Sequence, residues 1–116
     1  MQNYKRSTRV AELIQRTTAE IIRDFDDLDT AVVSITEVKL SDDLLNCKIY
    51  FSIFGNDEEK EKNETILRNN IKEIRHQLAL KLNLRRTPEI LLIYDDTNEK
   101  ATKIINILEK IKSGDA

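Results

Sequence analysis

The chain has 116 residues, 34% of them charged, and a formal net charge of −2. That length suits one domain with its own buried core, so residues 1–116 are expected to form a single unit with no need of disulfides or metal. One Cys and one His exclude a disulfide framework and a Cys/His metal centre. No apolar run approaches the roughly 18 residues that span a bilayer. The opening residues, M-Q-N-Y-K-R-S-T-R-V, have no apolar signal-peptide core, which predicts a reduced, cytoplasmic protein.

Residues 8–25 are predicted to form the first helix. Val10, Leu13, Ile14, Ile21, Ile22 and Phe25 fit one face, with Thr17 and Thr18 among them. Ser7 stands where a hydroxyl would cap the first turn. The polar side carries Arg9, Glu12, Arg16, Glu20 and Arg23, and the acidic turn D-F-D-D-L-D-T follows.

Residues 32–40 read as a strand whose alternation changes phase. Val33 and Ile35 share one face while Val38 and Leu40 point to the other. One extra residue near Thr36 or Glu37, a β-bulge, restores a single buried face. Residues 41–45 form a turn. Residues 46–54 are a second strand, with Cys47, Ile49, Phe51 and Ile53 on one side and Lys48, Tyr50, Ser52 and Phe54 on the other. Cys47 there reads as a small core residue and not as a reactive thiol.

Gly55 and Asn56 break the strand, and the acids between 57 and 64 favour a helix start. A second helix is predicted from about 61 to 83, since no Gly or Pro interrupts it. Ile71, Ile74, Leu78 and Leu82 mark its buried stripe. Arg68, Lys72, Arg75 and His76 fall on another side, and Lys81, Arg85 and Arg86 finish the helix and its exit.

Pro88 opens a third strand, residues 89–94, whose near-continuous apolar run suggests a central or well-covered position. Asp96 and Glu99 resemble a capping box for a last helix. Ala101, Ile104, Ile105, Leu108 and Ile111 are its apolar stripe, and Gly114 lies past its end. The order α–β–β–α–β–α, with a second helix long enough to be two in series, predicts an α+β fold. One sheet carries its helices on one face, and its second and third strands are free to run parallel.

The segments R-V-A-E-L-I-Q-R, S-I-T-E-V-K-L-S-D-D-L, C-K-I-Y-F-S, I-R-H-Q-L-A-L-K-L-N-L-R-R-T-P-E-I and I-Y-D-D-T-N-E together resemble ribosome-binding factor A, a bacterial family. The resemblance covers nearly the whole chain in the expected order. It implies a type II KH-like fold, α–β–β–α–α–β, with a three-stranded mixed sheet, helices on one face and a further C-terminal helix. It also implies a small ribosomal subunit assembly factor. Such a factor binds the immature subunit and its ribosomal RNA, and assists late maturation of the RNA 5′-end region.

In true KH domains a G-x-x-G loop between two helices clamps nucleotide backbone. The only glycines here are Gly55 and Gly114, so no such loop exists. The family resembled has a kinked helix at that point, usually with A-x-G at the kink, where this chain has Asn70, Ile71 and Lys72. Without Gly, propensity favours a straight helix, and Asn70 bonding to backbone is the alternative route to a kink. The D-P-R that follows the first helix in the family is D-F-D here.

Residues 68–86 hold six Lys/Arg and one acid in a slightly negative protein. Such polarisation suits a phosphate backbone. The candidate RNA-binding residues are Arg68, Lys72, Arg75, His76, Lys81, Arg85 and Arg86, with Arg9 and Arg16 from the first helix. The plainer readings are a solvated face, helix pairs of Arg6, Arg9 or Arg16 with Glu12 or Glu20, and an incidental surface His76. Tyr50 and Phe54 either fill packing or stack on bases. Asp42, Asp43, Asp95 and Asp96 read as turn and capping residues before a cation site.

Neither a nucleophile–base pair nor a Gly-rich phosphate loop is present, so no catalytic residue, cofactor or metal is expected. The expected partners are the small ribosomal subunit and its ribosomal RNA, with no membrane, and the free protein is expected to be a monomer. The alternative is a small α+β interaction or ligand-sensing domain that dimerises through its sheet.

Overall fold

A computed structural model describes residues 6–29 and 32–97. Its elements are α1 (Arg6–Arg23), β1 (Val33–Leu40), β2 (Asn46–Ile53), α2 (Asp57–Asn69), α3 (Ile71–Leu82) and β3 (Glu89–Tyr94). This is the α–β–β–α–α–β order expected. The capping box and stripe of the last helix, from Glu99 onward, lie outside the described residues.

β2 is the central strand, antiparallel to β1 and parallel to β3. The register of β1 against β2 shifts between Ile35 and Glu37, so Thr36 is the extra residue of the bulge. The bulge brings Val33 and Val38 into the core with Ile35 and Leu40 beside it. Thr36 Oγ1 donates to Asp95 Oδ2 at 2.7 Å, which ties the bulge to the end of β3.

β3 is an edge strand, not a central one. Its apolar run is divided between two faces: Leu92 is buried, whereas Leu91 stays 55% exposed on the side away from the helices. A continuous apolar run therefore arose from a one-sided core contact plus apolar residues left on the other face.

The core is the inner face of β2, Cys47, Ile49, Phe51 and Ile53, covered by Ile14 and Ile21 of α1, Leu67 of α2 and Ile74 and Leu78 of α3. Each such side chain, fully buried, contributes about 1.5–3 kcal/mol. Phe51 and Tyr94 meet edge to face with centroids 5.5 Å apart.

Three local expectations change. Ser7 is not a cap but lies inside α1, buried, with its hydroxyl donating to Asp42 at 3.4 Å. α2 starts at Asp57 because Asn56 caps it, its Oδ1 accepting from the Glu59 N–H at 2.8 Å. Asp57, Glu58 and Glu59 then sit at the positive end of the helix dipole.

The third is the long helix, which is not straight. Asn70 ends α2 with φ −104° and ψ 15°. Its side-chain Nδ2 donates to the Ile66 carbonyl at 2.8 Å, and its backbone N–H is shared between the Ile66 and Leu67 carbonyls. A short amide that competes for the i−4 carbonyl weakens the regular ladder, and the chain restarts as α3 one residue later. α3 ends at Asn83, which adopts the left-handed conformation (φ 50°) that Asn tolerates better than most residues.

Candidate functional site

α1 and α3 pack together and run in opposite directions. The start of α1 meets the exit of α3, where Arg6, Arg85 and Arg86 line one cleft. Farther along the same seam, Arg16 and Lys81 line a second depression with Leu13, Thr17, Glu20 and Leu82. Arg6, Arg9 and Arg16 recur at helical spacing along the exposed side of α1. Two basic stretches some 70 residues apart in sequence thus form one basic end.

The first cleft has a volume of about 210 Å³. Val10, Ile14, Leu40, Leu44, Leu45, Leu84 and Pro88 form its apolar part, and Asp43 stands with the three arginines as its polar part. Its walls are fixed by backbone bonds, Glu89 N–H to the Leu45 carbonyl at 2.8 Å and Leu44 N–H to the Ser41 carbonyl at 2.9 Å. Asp43 Oδ1 accepts from the Ser41 hydroxyl at 2.6 Å and from the Leu45 N–H at 3.0 Å. These two bonds, the hydroxyl first, hold its carboxyl below the usual carboxylate value.

The cations of residues 68–86 do not act alike. Arg75 fastens α3 to the entry of β3: its Nε donates to the Pro88 carbonyl at 3.0 Å and its Nη2 to the Thr87 carbonyl at 2.9 Å. Glu89 lies 3.4 Å from the same guanidinium. Arg68 donates to Glu64 at 2.8 Å and to the Leu92 carbonyl at 3.0 Å, and its guanidinium stacks 5.6 Å from the Phe51 ring centre. Both side chains therefore brace β3 with donors that a free surface arginine would offer to a ligand. Lys72 and His76 are exposed on the outer side of α3, one turn apart. Lys81 lies on the α1 side, and Arg85 and Arg86 are exposed beyond the helix.

The opposite end is acidic. Asp24, Asp26 and Asp27 after α1 line a groove of about 450 Å³ with Asn70, Glu73, Gln77 and Lys81, so the carboxylates outnumber the one cation there. The break at Asn70 occupies the place between two helices where a KH loop would clamp phosphates. Here that place is bordered by carboxylates, which repel phosphate.

Sequence reasoning weighed Arg6 beside Arg9 and Arg16 but left it out of the candidate RNA-binding residues, and it assigned Arg75 and Arg68 no bracing role. No local signal marks either fact, because both depend on which segments meet. Of the aromatics, Phe54 is 83% exposed, and Tyr50 is half-buried with Lys39 Nζ 5.4 Å from its ring centre. Cys47 is buried, and desolvation pushes its thiol up to about 11, so it remains protonated and unreactive at neutral pH. Among the described residues no helix is long and apolar enough to cross a membrane.

The sequence model of a family described as ribosome-binding factor A matches residues 6–108. The chain belongs to the ribosome-binding factor A family. A ribosome-binding factor A of Trichormus variabilis is 38% identical over 97% of this chain and 87% of its own length. One from Trichlorobacter lovleyi is 36% identical over 96% and 91%. Among solved structures, a putative ribosome binding factor A of Thermotoga maritima aligns with a TM-score of 0.69 at 28% identity, covering 79% of this chain and 89% of that one. The Thermus thermophilus crystal structure aligns at 0.65 and 20% identity, covering 76% and 94%, which speaks to the shared KH-like fold alone. A Thermus thermophilus homology model fitted into a map of a 30S complex with the factor aligns at 0.62 and 21%, covering 73% of this chain and 90% of that one.

Proposed function

We propose that the protein is an assembly factor of the small ribosomal subunit. It docks as a monomeric single domain on ribosomal RNA of the immature subunit and assists late maturation of the RNA 5′-end region. The observation that carries this reading is the basic end, where Arg6, Arg9 and Arg16 of α1 join Lys81, Arg85 and Arg86 in a ribosome-binding factor family. A Thermus thermophilus relative has been fitted into a 30S complex, which supports the small subunit as the partner.

The mechanism is positional. Exposed cations of the basic end contact phosphates, with Lys72 and His76 extending the surface along α3. Arg68 and Arg75 keep β3 and the α3 exit in place, so that Arg85 and Arg86 are presented beside Arg6. The carboxylates of the other end limit indiscriminate adhesion to nucleic acid. The chain contributes binding and no bond-breaking step, and maturation of the RNA belongs to other enzymes.

Co-sedimentation with purified small subunits tests this directly. With four to six phosphate contacts, affinity falls by roughly two or more orders of magnitude between about 50 and 200 mM salt. An affinity flat across that range excludes the mechanism. Mapping ribosomal RNA 5′ ends in cells depleted of the protein tests the maturation role, with unprocessed ends expected to accumulate.

A further inference from the structure

The cleft at the basic end presents two chemistries side by side. Its rim of Arg6, Arg85 and Arg86 attracts anions, while its floor includes Val10, Leu45, Leu84 and Pro88. A phosphate backbone running over the rim would satisfy the guanidiniums and leave the floor uncovered. Leu45, 37% exposed, makes part of that floor accessible. A ligand suited to both parts carries a flat apolar face within one bond network of a phosphate.

We infer that the cleft takes one unstacked nucleotide of single-stranded RNA, base on the apolar floor and flanking phosphates on Arg6, Arg85 and Arg86. The inference rests on the RNA-binding reading and deepens it. Single-stranded RNA is recognised through splayed bases laid on side-chain surfaces, including guanidinium planes, whereas a duplex offers no base to insert. The size agrees: about 210 Å³ is below the roughly 300–1,000 Å³ of ordinary small-molecule sites and suits one base with its sugar outside.

Charge orients the nucleotide. Asp43 is ionised, with Oδ1 occupied by the Ser41 hydroxyl and the Leu45 N–H. Exposed at the cleft mouth beside the arginines, it disfavours a phosphate on its own side and leaves the three guanidiniums to hold the flanking phosphates. The walls are fixed beforehand, since Glu89 N–H bonds the Leu45 carbonyl and Asn46 N–H bonds the Ser41 hydroxyl. Little ordering cost is then left for binding. The site lies at the opposite end of α1 and α3 from the helix break at Asn70, so it is distinct from a KH-type backbone clamp.

The test is a methyl-resolved NMR titration of the full chain with AMP, CMP, GMP and UMP, beside ribose 5-phosphate and inorganic phosphate. At least one nucleoside monophosphate is expected to shift the methyls of Val10, Leu45 and Leu84 saturably. It should bind about tenfold more tightly than ribose 5-phosphate, on the scale of one base contact. Equal response to ribose 5-phosphate overturns the inference and leaves a phosphate rim alone. Leu45→Trp, which fills the cleft, should abolish the nucleotide response at Leu84. A retained response also overturns the inference. Should that variant not fold, the wild-type contrast between nucleotide and ribose 5-phosphate still decides. Failure of the wider RNA reading would show separately, as wild-type subunit binding that ignores salt.

Discussion

The two ends of the α1–α3 pair are built from the same helices and carry opposite charge. At one end Arg6, Arg85 and Arg86 surround an apolar cleft. At the other, Asp24, Asp26, Asp27 and Glu73 outnumber Lys81 around the groove beside Asn70. Helix energetics explain only part of this. Lys81 in the last turn of α3 suits that helix's negative end, and the acids opening α2 suit its positive end. Asp24, Asp26 and Asp27 do the reverse, since they follow the C-terminus of α1, where the dipole disfavours anions. Their placement costs stability in α1, and it lines the helix break with negative charge. A chain with a formal net charge of only −2 can thus carry one cationic and one anionic end, because what an approaching ion meets is the local charge and not the sum.

The largest expected effect comes from reversing the basic end. Arg6→Glu with Arg85→Glu and Arg86→Glu should weaken small-subunit binding by about a hundredfold or more at low salt and flatten its salt dependence, because each lost contact to a single-strand phosphate removes about 0.7 from the log–log slope. All three side chains are exposed, so the melting temperature should hardly move. Pelleting that matches the wild type would break the contrast between the ends, and Lys72 and His76 would become the leading surface.

Arg75 sharpens the comparison by separating bracing from binding. Arg75→Ala removes the donors to the Thr87 and Pro88 carbonyls. A charged hydrogen bond contributes about 1.5–3 kcal/mol, discounted here because the side chain is 42% exposed. A loss of about 1–2 kcal/mol in denaturant unfolding is expected. An unchanged midpoint would mean that the guanidinium is free for a ligand.

At the acidic end, Asp26→Asn with Asp27→Asn should leave specific subunit binding near wild type and raise adhesion to unrelated RNA by a few-fold. Filter binding to a non-ribosomal transcript at low salt measures this. No change in adhesion would remove the repulsive role assigned to that groove.

The smallest effect concerns acid. The Asp95 carboxyl is held below its ordinary value of 3.8, first by Thr97 and then by Thr36, and Asp43 is held below 3.8 by Ser41 and Leu45. A depressed folded value stabilises the fold above the unfolded value, and the contribution is lost as pH falls below 3.8 through the folded value. Asp95→Asn should therefore lower the melting temperature slightly at neutral pH and converge with the wild type as the pH falls well below 3.8. Parallel melting curves at every pH would show that the Thr36–Asp95 link does not depend on charge.

Much of the fold was legible in sequence because local rules agreed. The phase change between Ile35 and Val38 announced the bulge, and alternation in β2 announced its core face, which the register and burial bear out. The break at Asn70 was half legible: its backbone-bonding amide was a candidate, but propensity alone favoured a continuous helix. The edge position of β3 was not legible, since an apolar run does not say which of its faces is covered.

The candidate site divides in the same way. Sequence alone determined that residues 68–86 and 6–16 are basic, that 24–29 and 57–64 are acidic, and which residues repeat at core spacing, because these are properties of local order. Only the tertiary structure decided that Arg6 meets Arg85 and Arg86 around an apolar cleft, and that Arg75 and Arg68 are turned to the carbonyls of residues 87, 88 and 92. Helical periodicity fixes the direction of a side chain relative to its own axis. What lies in that direction is set by how α1 and α3 pack across the sheet, which no single segment encodes.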